Sequence, residues 1–302
     1  MQSRPVVYLA LILAMVFWSM SFIWTKQLLV FIPPLSLILV RLIISTVFLA
    51  AIGFFNKKLN KIPKDQIWSL IGVGIFNPFL YFIGENMAMQ TLSPTVVAVL
   101  IGTIPVFTPL AAYLLVKERI GFTNYLGILL SVVGAGLVVI LPNMLNTISV
   151  KGILFAVLAI FSAVAYTMSV RKVSKEFNAL SITLYQNIIG IVLFLPVHLL
   201  IEPQGFQHIT LTSELLVPLL SVSILCSSLA FVFYNHGIKY IGASLSTSFT
   251  NLIPVLTAIF SYFILNELLN ILQQVGIFVT VLGLFIAQGT IMKPSKNKLY
   301  AN

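Results

Sequence analysis

Charge is scarce in this sequence. Asp, Glu, Lys and Arg make up 8% of its 302 residues, while 59% are hydrophobic, against roughly 25% charged in an ordinary soluble domain. Too few polar groups are present to cover a globular surface in water, so the chain must be solvated mainly by lipid. Cysteine is nearly absent: Cys226 stands alone, which excludes an intramolecular disulfide. Histidine is limited to His198, His208 and His236, scattered along the chain, with no Gly-x-Ser-x-Gly, His-Glu-x-x-His or phosphate-binding glycine loop. No converging catalytic set or metal site is legible, so a membrane-embedded enzyme is the weakest reading and no cofactor is expected. No soluble stretch is long enough to house a nucleotide-binding domain, which argues against ATP-driven pumping. The net charge of +10 would suggest nucleic acid if it formed a patch on a folded surface. The basic residues instead sit in short clusters between apolar runs, so no nucleic-acid partner is expected.

What remains is long hydrophobic runs. A bilayer core of about 30 Å takes roughly 20 helical residues, and ten segments meet that length: 6–28, 34–55, 66–89, 95–116, 121–141, 152–171, 179–200, 214–236, 244–265 and 269–290. Alternating ten-residue segments typical of membrane barrels are missing, and the first run is too long, with no small-residue cleavage site, for a secretory signal. The expected fold is therefore an all-α integral membrane protein of ten transmembrane helices. Lys and Arg fix its orientation. Arg4, Lys57, Lys58, Lys61, Lys64, Lys117, Arg119, Arg171, Lys172, Lys175, Lys239, Lys293, Lys296 and Lys298 all fall on one side, against Lys26 and Lys151 on the other. Both termini are therefore expected to be cytoplasmic.

The chain also repeats itself. A shift of 149 residues places GTIPVFTPLAAYLLVKE (102–118) on NLIPVLTAIFSYFILNE (251–267), and pairs Asn86 with Asn235, Pro105 with Pro254, Glu118 with Glu267 and Gly134 with Gly283. A shift of 145 fits the earlier helices less well, pairing Lys26 with Arg171 and Arg41 with Gln186. The unit is five helices, residues 1–145 and 146–302. Five is odd, so the second copy enters the membrane upside down. Inverted repeats of this kind put a binding site near the midplane, where the halves meet and rock.

Several residues are candidates for that site. Arg41 and Glu85 lie within spans, roughly 10 and 6 Å from the outer ends at 1.5 Å per residue, and intramembrane charges are functional candidates by default. They can pair across an outer mouth, or Arg41 can hold a substrate carboxylate; the plain alternative is that both reach toward the headgroups. Nearer mid-span stand Asn77, Tyr81, Thr103, Tyr166, Tyr185, Gln186, Tyr234, Asn235, Ser246 and Thr250, with Trp18, Phe22 and Thr25 at helical spacing as an aromatic wall. Aromatic stripes also serve plain packing. Pro105 and Pro254 fall at span centres, where proline frees the carbonyl four residues earlier, here Ile101 and Thr250, and suggests kinked, gating helices. Pro109 faces Ala258, so the two helices differ. Glu118 and Glu267, at span ends, read as caps of the following helix. Small faces at Gly127, Ser131, Gly134 and Ala135, and at Gly276, Thr280, Gly283 and Ala287, allow close helix packing within the chain or between copies.

The stretches FWSMSFIWTK, VRLIIS, AMQTLSPT and TIPVFTPLAAYLLVKE, with the glycine-patterned helix after them, resemble the EamA-type drug/metabolite transporter superfamily over almost the whole chain. The resemblance implies a ten-helix inverted-repeat carrier, usually an exporter of amino acids or other small metabolites in a bacterial inner membrane. A cavity of tyrosines, amides and one or two charges suits a small zwitterionic or weakly polar solute and suits a highly phosphorylated one poorly. A channel or a non-transporting scaffold is the alternative.

Overall fold

The structure is a computed structural model that describes residues 4–116, 121–139, 149–207, 209, 212–266 and 268–289; these form helices joined by short turns, with no strand among them. Helices α1 (Arg4–Leu28) and α2 (Pro34–Phe55) come first. Helix α3 (Lys64–Thr91) opens with a 3-10 turn and contains a π-helical turn at Ile75–Leu80. Helix α4 is two pieces, Pro94–Ile101 and Ile104–Val116. Helices α5 (Phe122–Val139), α6 (Val150–Val173) and α7 (Ala179–Ile201) follow. Helix α8 (Ser213–Ile241) has a π-helical stretch at Val222–Ala230. Helix α9 runs as Ala243–Ser248, a 3-10 turn at Phe249–Asn251, and Leu252–Leu265; α10 is Ile271–Gly289.

Each of the ten expected segments corresponds to a helix. Seven, α1 to α4 and α6 to α8, are long and apolar enough to cross a membrane, whereas α5, α9 and α10 contribute the shorter apolar stretches Leu126–Leu137, Phe249–Leu265 and Ile271–Gly283. Large apolar side chains such as Val47, Leu114, Leu200 and Phe278 point outward, the arrangement of a protein bathed in lipid rather than water.

Local chemistry accounts for the helix starts. The Ser93 hydroxyl accepts the Val96 N–H ahead of a first-turn proline, Pro94, while Ser149 accepts from Gly152 and Asn178 from Ser181. Helix α8 stops at Gly242, whose φ of 92° suits glycine. Glu118 and Glu267, expected as caps, lie outside the described residues.

The packing follows the repeat. Helix α1 packs on α8 and α9, as α6 packs on α3 and α4; α2 packs on α7 and α8, as α7 packs on α2 and α3; α4 meets α9, and α5 meets α10. Each contact maps onto another when helices one to five are exchanged for six to ten. Polar tethers obey the same exchange. Lys26 Nζ donates to the Met89 carbonyl at 2.7 Å, closing the end of α3, and Arg171 Nη1 donates to the Ile238 carbonyl at 3.4 Å near the end of α8. The start of α2 is held by Glu202 from beyond α7, which accepts from the Ser36 N–H at 2.8 Å and hydroxyl at 2.9 Å. Reciprocally, the start of α7 is held by Asn60 from beyond α2: its N–H donates to Ser181 Oγ and its side-chain oxygen accepts the Asn178 N–H, both at 2.8 Å.

The small faces of α5 and α10 meet each other within the chain. A Cβ on Gly134 would lie 2.4 Å from the Thr280 backbone nitrogen, and one on Gly283 would lie 2.4 Å from that of Ser131. Glycine is required there because the backbones themselves touch.

Candidate functional site

A cavity opens where α1, α2, α3, α4, α6, α8 and α9 converge. Of the residues singled out in the sequence, Trp18, Phe22, Arg41, Asn77, Tyr81, Glu85, Tyr166, Tyr234 and Thr250 line it, together with Ser21, Phe82, Ile101, Ile104, Ala163, Thr167, Phe231 and Ile253. The lining is built of repeat-related pairs. A shift of 145 joins Trp18 to Ala163, Ser21 to Tyr166 and Phe22 to Thr167; a shift of 149 joins Phe82 to Phe231, Glu85 to Tyr234, Ile101 to Thr250 and Ile104 to Ile253. The cavity therefore lies where the two halves face one another. Applying the shifts to Tyr166, Phe22 and Trp18 would have found Ser21, Thr167 and Ala163 from sequence.

Arg41 is almost fully buried. Its Nε donates to Ser227 Oγ at 2.8 Å, and its guanidinium carbon sits 4.2 Å from the centre of the Phe82 ring, within cation–π range. Nη1 has no hydrogen-bond partner among the described residues. No hydrogen bond or ion pair joins Arg41 to Glu85, which accepts instead from the Tyr81 hydroxyl one turn back, at 3.2 Å. Two opposite charges thus face one cavity without neutralising each other by contact. Asn77 adds a buried amide whose Oδ1 is also without a partner, set where α3 leaves helical geometry at φ −148°, ψ 121°.

The aromatic wall is centred on Phe231. Its ring lies 5.0 Å from Trp18, 6.0 Å from Tyr166 and 6.3 Å from its repeat partner Phe82, while Trp18 also meets Tyr234 at 4.9 Å. All four approaches are edge-on, the arrangement that aromatic quadrupoles favour.

Gln186 and Asn235 stand one layer behind the lining. The Tyr166 hydroxyl lies 2.7 Å from Asn235 Oδ1 and 2.9 Å from Gln186 Oε1, yet it has one hydrogen to give. Turning over the Gln186 amide lets Nε2, otherwise unpartnered, donate to the tyrosine oxygen while that oxygen donates to Asn235. Thr183 completes the chain by accepting from Asn235 Nδ2 at 3.1 Å. A second buried network was not foreseen: Asn187 Nδ2 donates to Ser45 Oγ at 2.7 Å, Ser45 bonds Ser228 at 2.6 Å, and Ser227 holds Arg41. Ser227 and Ser228 lie in the π-helical stretch of α8, a backbone feature that no local residue pattern announces.

Three candidates lie away from the lining. Tyr185 donates to the Asn60 carbonyl, fastening the loop after α2. Thr103 turns back to the Leu100 carbonyl at 2.6 Å, and the Ser246 hydroxyl is buried in α9 without a partner among the described residues. Thr25, on the same stripe as Trp18, is buried and also off the lining. The prolines need a correction. Pro105 and Pro254 are not mid-helix kinks; they occupy the first turn of Ile104–Val116 and of Leu252–Leu265, after the chain has already broken at Gly102–Thr103 and at Phe249–Asn251. First-turn N–H groups have no helical acceptor, so proline fits there without loss. Pro109 alone is interior. The break in α4 lies against the turn that follows the break in α9: a Cβ on Gly102 would lie 3.2 Å from Pro254.

The helices and their shared cavity define a multi-pass membrane protein with a charged interior cavity between two similar halves. The chain belongs to the EamA-like transporter family, which matches it twice, over residues 5–140 and 150–288, as the resemblance implied. It is 28% identical over 284 residues to an uncharacterized transporter of Archaeoglobus fulgidus, covering 92% of this chain and 96% of the other. The uncharacterized transporter YyaM of Bacillus subtilis is 30% identical over 251 residues, 81% of this chain and 79% of that one. A crystal structure covering 95% of this chain and 99% of its own superposes with a TM-score of 0.72 at 18% identity, a likeness of fold alone.

Proposed function

We propose that this membrane transporter is a secondary carrier that exports amino acids or similar small zwitterions by alternating access through the central cavity. The carrying observation is that Arg41 and Glu85 face the same cavity without a hydrogen bond between them, with Arg41 Nη1 unpartnered. A zwitterion supplies what each lacks: its carboxylate to the guanidinium, its ammonium to Glu85 and the Asn77 amide, its body to the rings of Trp18, Phe231 and Tyr234. Charge-assisted bonds of this kind contribute about 1.5–3 kcal/mol each, enough to hold a solute yet release it.

In this reading the chain has ten spans in two inverted repeats, residues 1–145 and 146–302, which the exchange symmetry of the contacts supports; cytoplasmic termini rest on the placement of Lys and Arg, and the plasma membrane rests on the family resemblance. The breaks of α4 and α9 are then the hinges, and Pro105, Pro109 and Pro254 stiffen the pieces that swing. Export as the direction of net movement rests on the family resemblance.

The test is counterflow of labelled amino acids in proteoliposomes, with and without an imposed pH gradient. Saturable counterflow that an excess of unlabelled zwitterion competes away is the expected result. Flux that neither saturates nor shows counterflow indicates a channel, and no flux across a broad amino-acid and metabolite panel removes the proposal.

A further inference from the structure

The two loop clamps that exchange with one another are chemically unlike. The loop beyond α7 carries Glu202 and then Glu214, with no lysine or arginine between them. Its counterpart beyond α2 carries Lys57, Lys58, Lys61 and Lys64, all exposed. None of these four ammonium groups takes part in an ion pair or hydrogen bond with a described residue. The nearby carboxylates are Asp65 and Glu176, both bonded to the same Gln66 side chain, at 3.2 and 3.1 Å. Exposed Lys172 and Lys175 lie just before Glu176 and extend the basic face across both halves.

This loop is fixed in place. Asn60 and Asn178 bond it to the start of α7, Asn178 Nδ2 donates to the Lys58 carbonyl at 2.6 Å, and Leu59 folds into the notch left by Gly53, where a Cβ would lie 2.4 Å from it. The lysines are therefore presented on a rigid backbone, and little backbone order is lost when they bind. Beside them Phe54, Phe55 and Trp68 are 75%, 81% and 78% exposed. A tryptophan in that position sits at the headgroup level of a bilayer, so Trp68 sets the lysines at the depth of lipid phosphates.

We propose that the loop after α2, with the end of α6, is a binding site for anionic phospholipid headgroups. Basic clusters at the end of a membrane helix attract acidic lipid by about fivefold per lysine near the surface. Since the same loop bolts α2 to α7, a bound lipid bridges the two halves on this face. The proposal concerns the surface and is independent of the solute carried.

The test uses the full chain with Trp18→Phe and Trp24→Phe, which leaves Trp68 as the sole indole, reconstituted in mixtures of phosphatidylcholine and phosphatidylglycerol in which one or the other is dibrominated. At equal mole fraction, brominated phosphatidylglycerol should quench Trp68 at least about threefold more effectively. Replacing Lys57, Lys58, Lys61 and Lys64 by Gln should bring the ratio near one, high salt should lower it by screening, and Lys151→Gln on the opposite face should leave it unchanged. Equal quenching by the two lipids in the parent, or a preference that survives the four glutamines, overturns the site. If the double tryptophan variant does not fold, the thermal midpoint of the unaltered chain in detergent is measured with each lipid added. A rise with phosphatidylglycerol, absent with phosphatidylcholine and lost in the four-glutamine variant, supports the site; equal midpoints overturn it. Inorganic phosphate reproducing the rise would show a free-anion site and overturn the assignment to lipid.

Discussion

A buried guanidinium with one nitrogen spoken for and another free is costly unless something arrives to meet it. Ser227 and the Phe82 ring take one edge and one face of Arg41, which leaves Nη1 for a solute. Two substitutions separate these roles. Arg41→Gln keeps a polar side chain but removes the charge, and counterflow should fall by about ten- to a hundredfold, the equivalent of one lost charge-assisted bond. Ser227→Ala leaves Nε unpartnered in the interior; the guanidinium stays but loses its aim, so KM should rise by several-fold with the maximal rate largely kept. Rescue by Ser227→Thr, which restores the hydroxyl, would separate aim from simple damage. Normal counterflow in Arg41→Gln would sink the zwitterion reading.

Among the helices, α5 and α10 form a tight pair whose backbones touch through Gly134 and Gly283. Gly134→Leu pushes a branched side chain into the backbone of α10, and overpacking of this kind costs typically about 1–3 kcal/mol or more. A lowered thermal midpoint with the detergent-solubilised monomer still intact is expected. A change confined to oligomer size, with no loss of stability, would instead point to an intermolecular role for this face. The pair also shows what a sequence conveys. Glycine every seventh residue announces close packing but does not name the partner, so packing within the chain and between copies read alike. The breaks in α4 and α9 were signalled by their prolines, yet misplaced by a few residues, since proline at mid-span and proline opening a second helix leave the same mark on the sequence.

For the molecule as a whole, the repeat was the most informative signal. It is carried by prolines, glycines and asparagines, and it foreshadows a contact pattern in which the main helix pairings have exchanged counterparts. Nine of the fifteen residues named as cavity candidates line it. Gln186 and Asn235 are polar and buried like the lining but turned one layer outward, because side-chain direction depends on helix rotation, whereas Tyr185 lies against the loop after α2. The π-helical turns at Ile75–Leu80 and Val222–Ala230, which overlap under the 149-residue shift, rotate the pieces of α3 and α8 on either side. Nothing short of the folded backbone reveals that rotation.

Phe82 and Phe231 correspond under the same shift and their rings meet at 6.3 Å. Exchanging two points leaves the distance between them untouched, so if the halves trade conformations during transport, this separation is the same at both ends of the cycle. The pair is a built-in ruler of fixed length. Labels at Phe82→Cys and Phe231→Cys should give one distance distribution with and without solute, measured by pulsed electron spin resonance, while two labels within one half report the change. A shift at the paired positions equal to that within a half would mean that the repeats do not trade places.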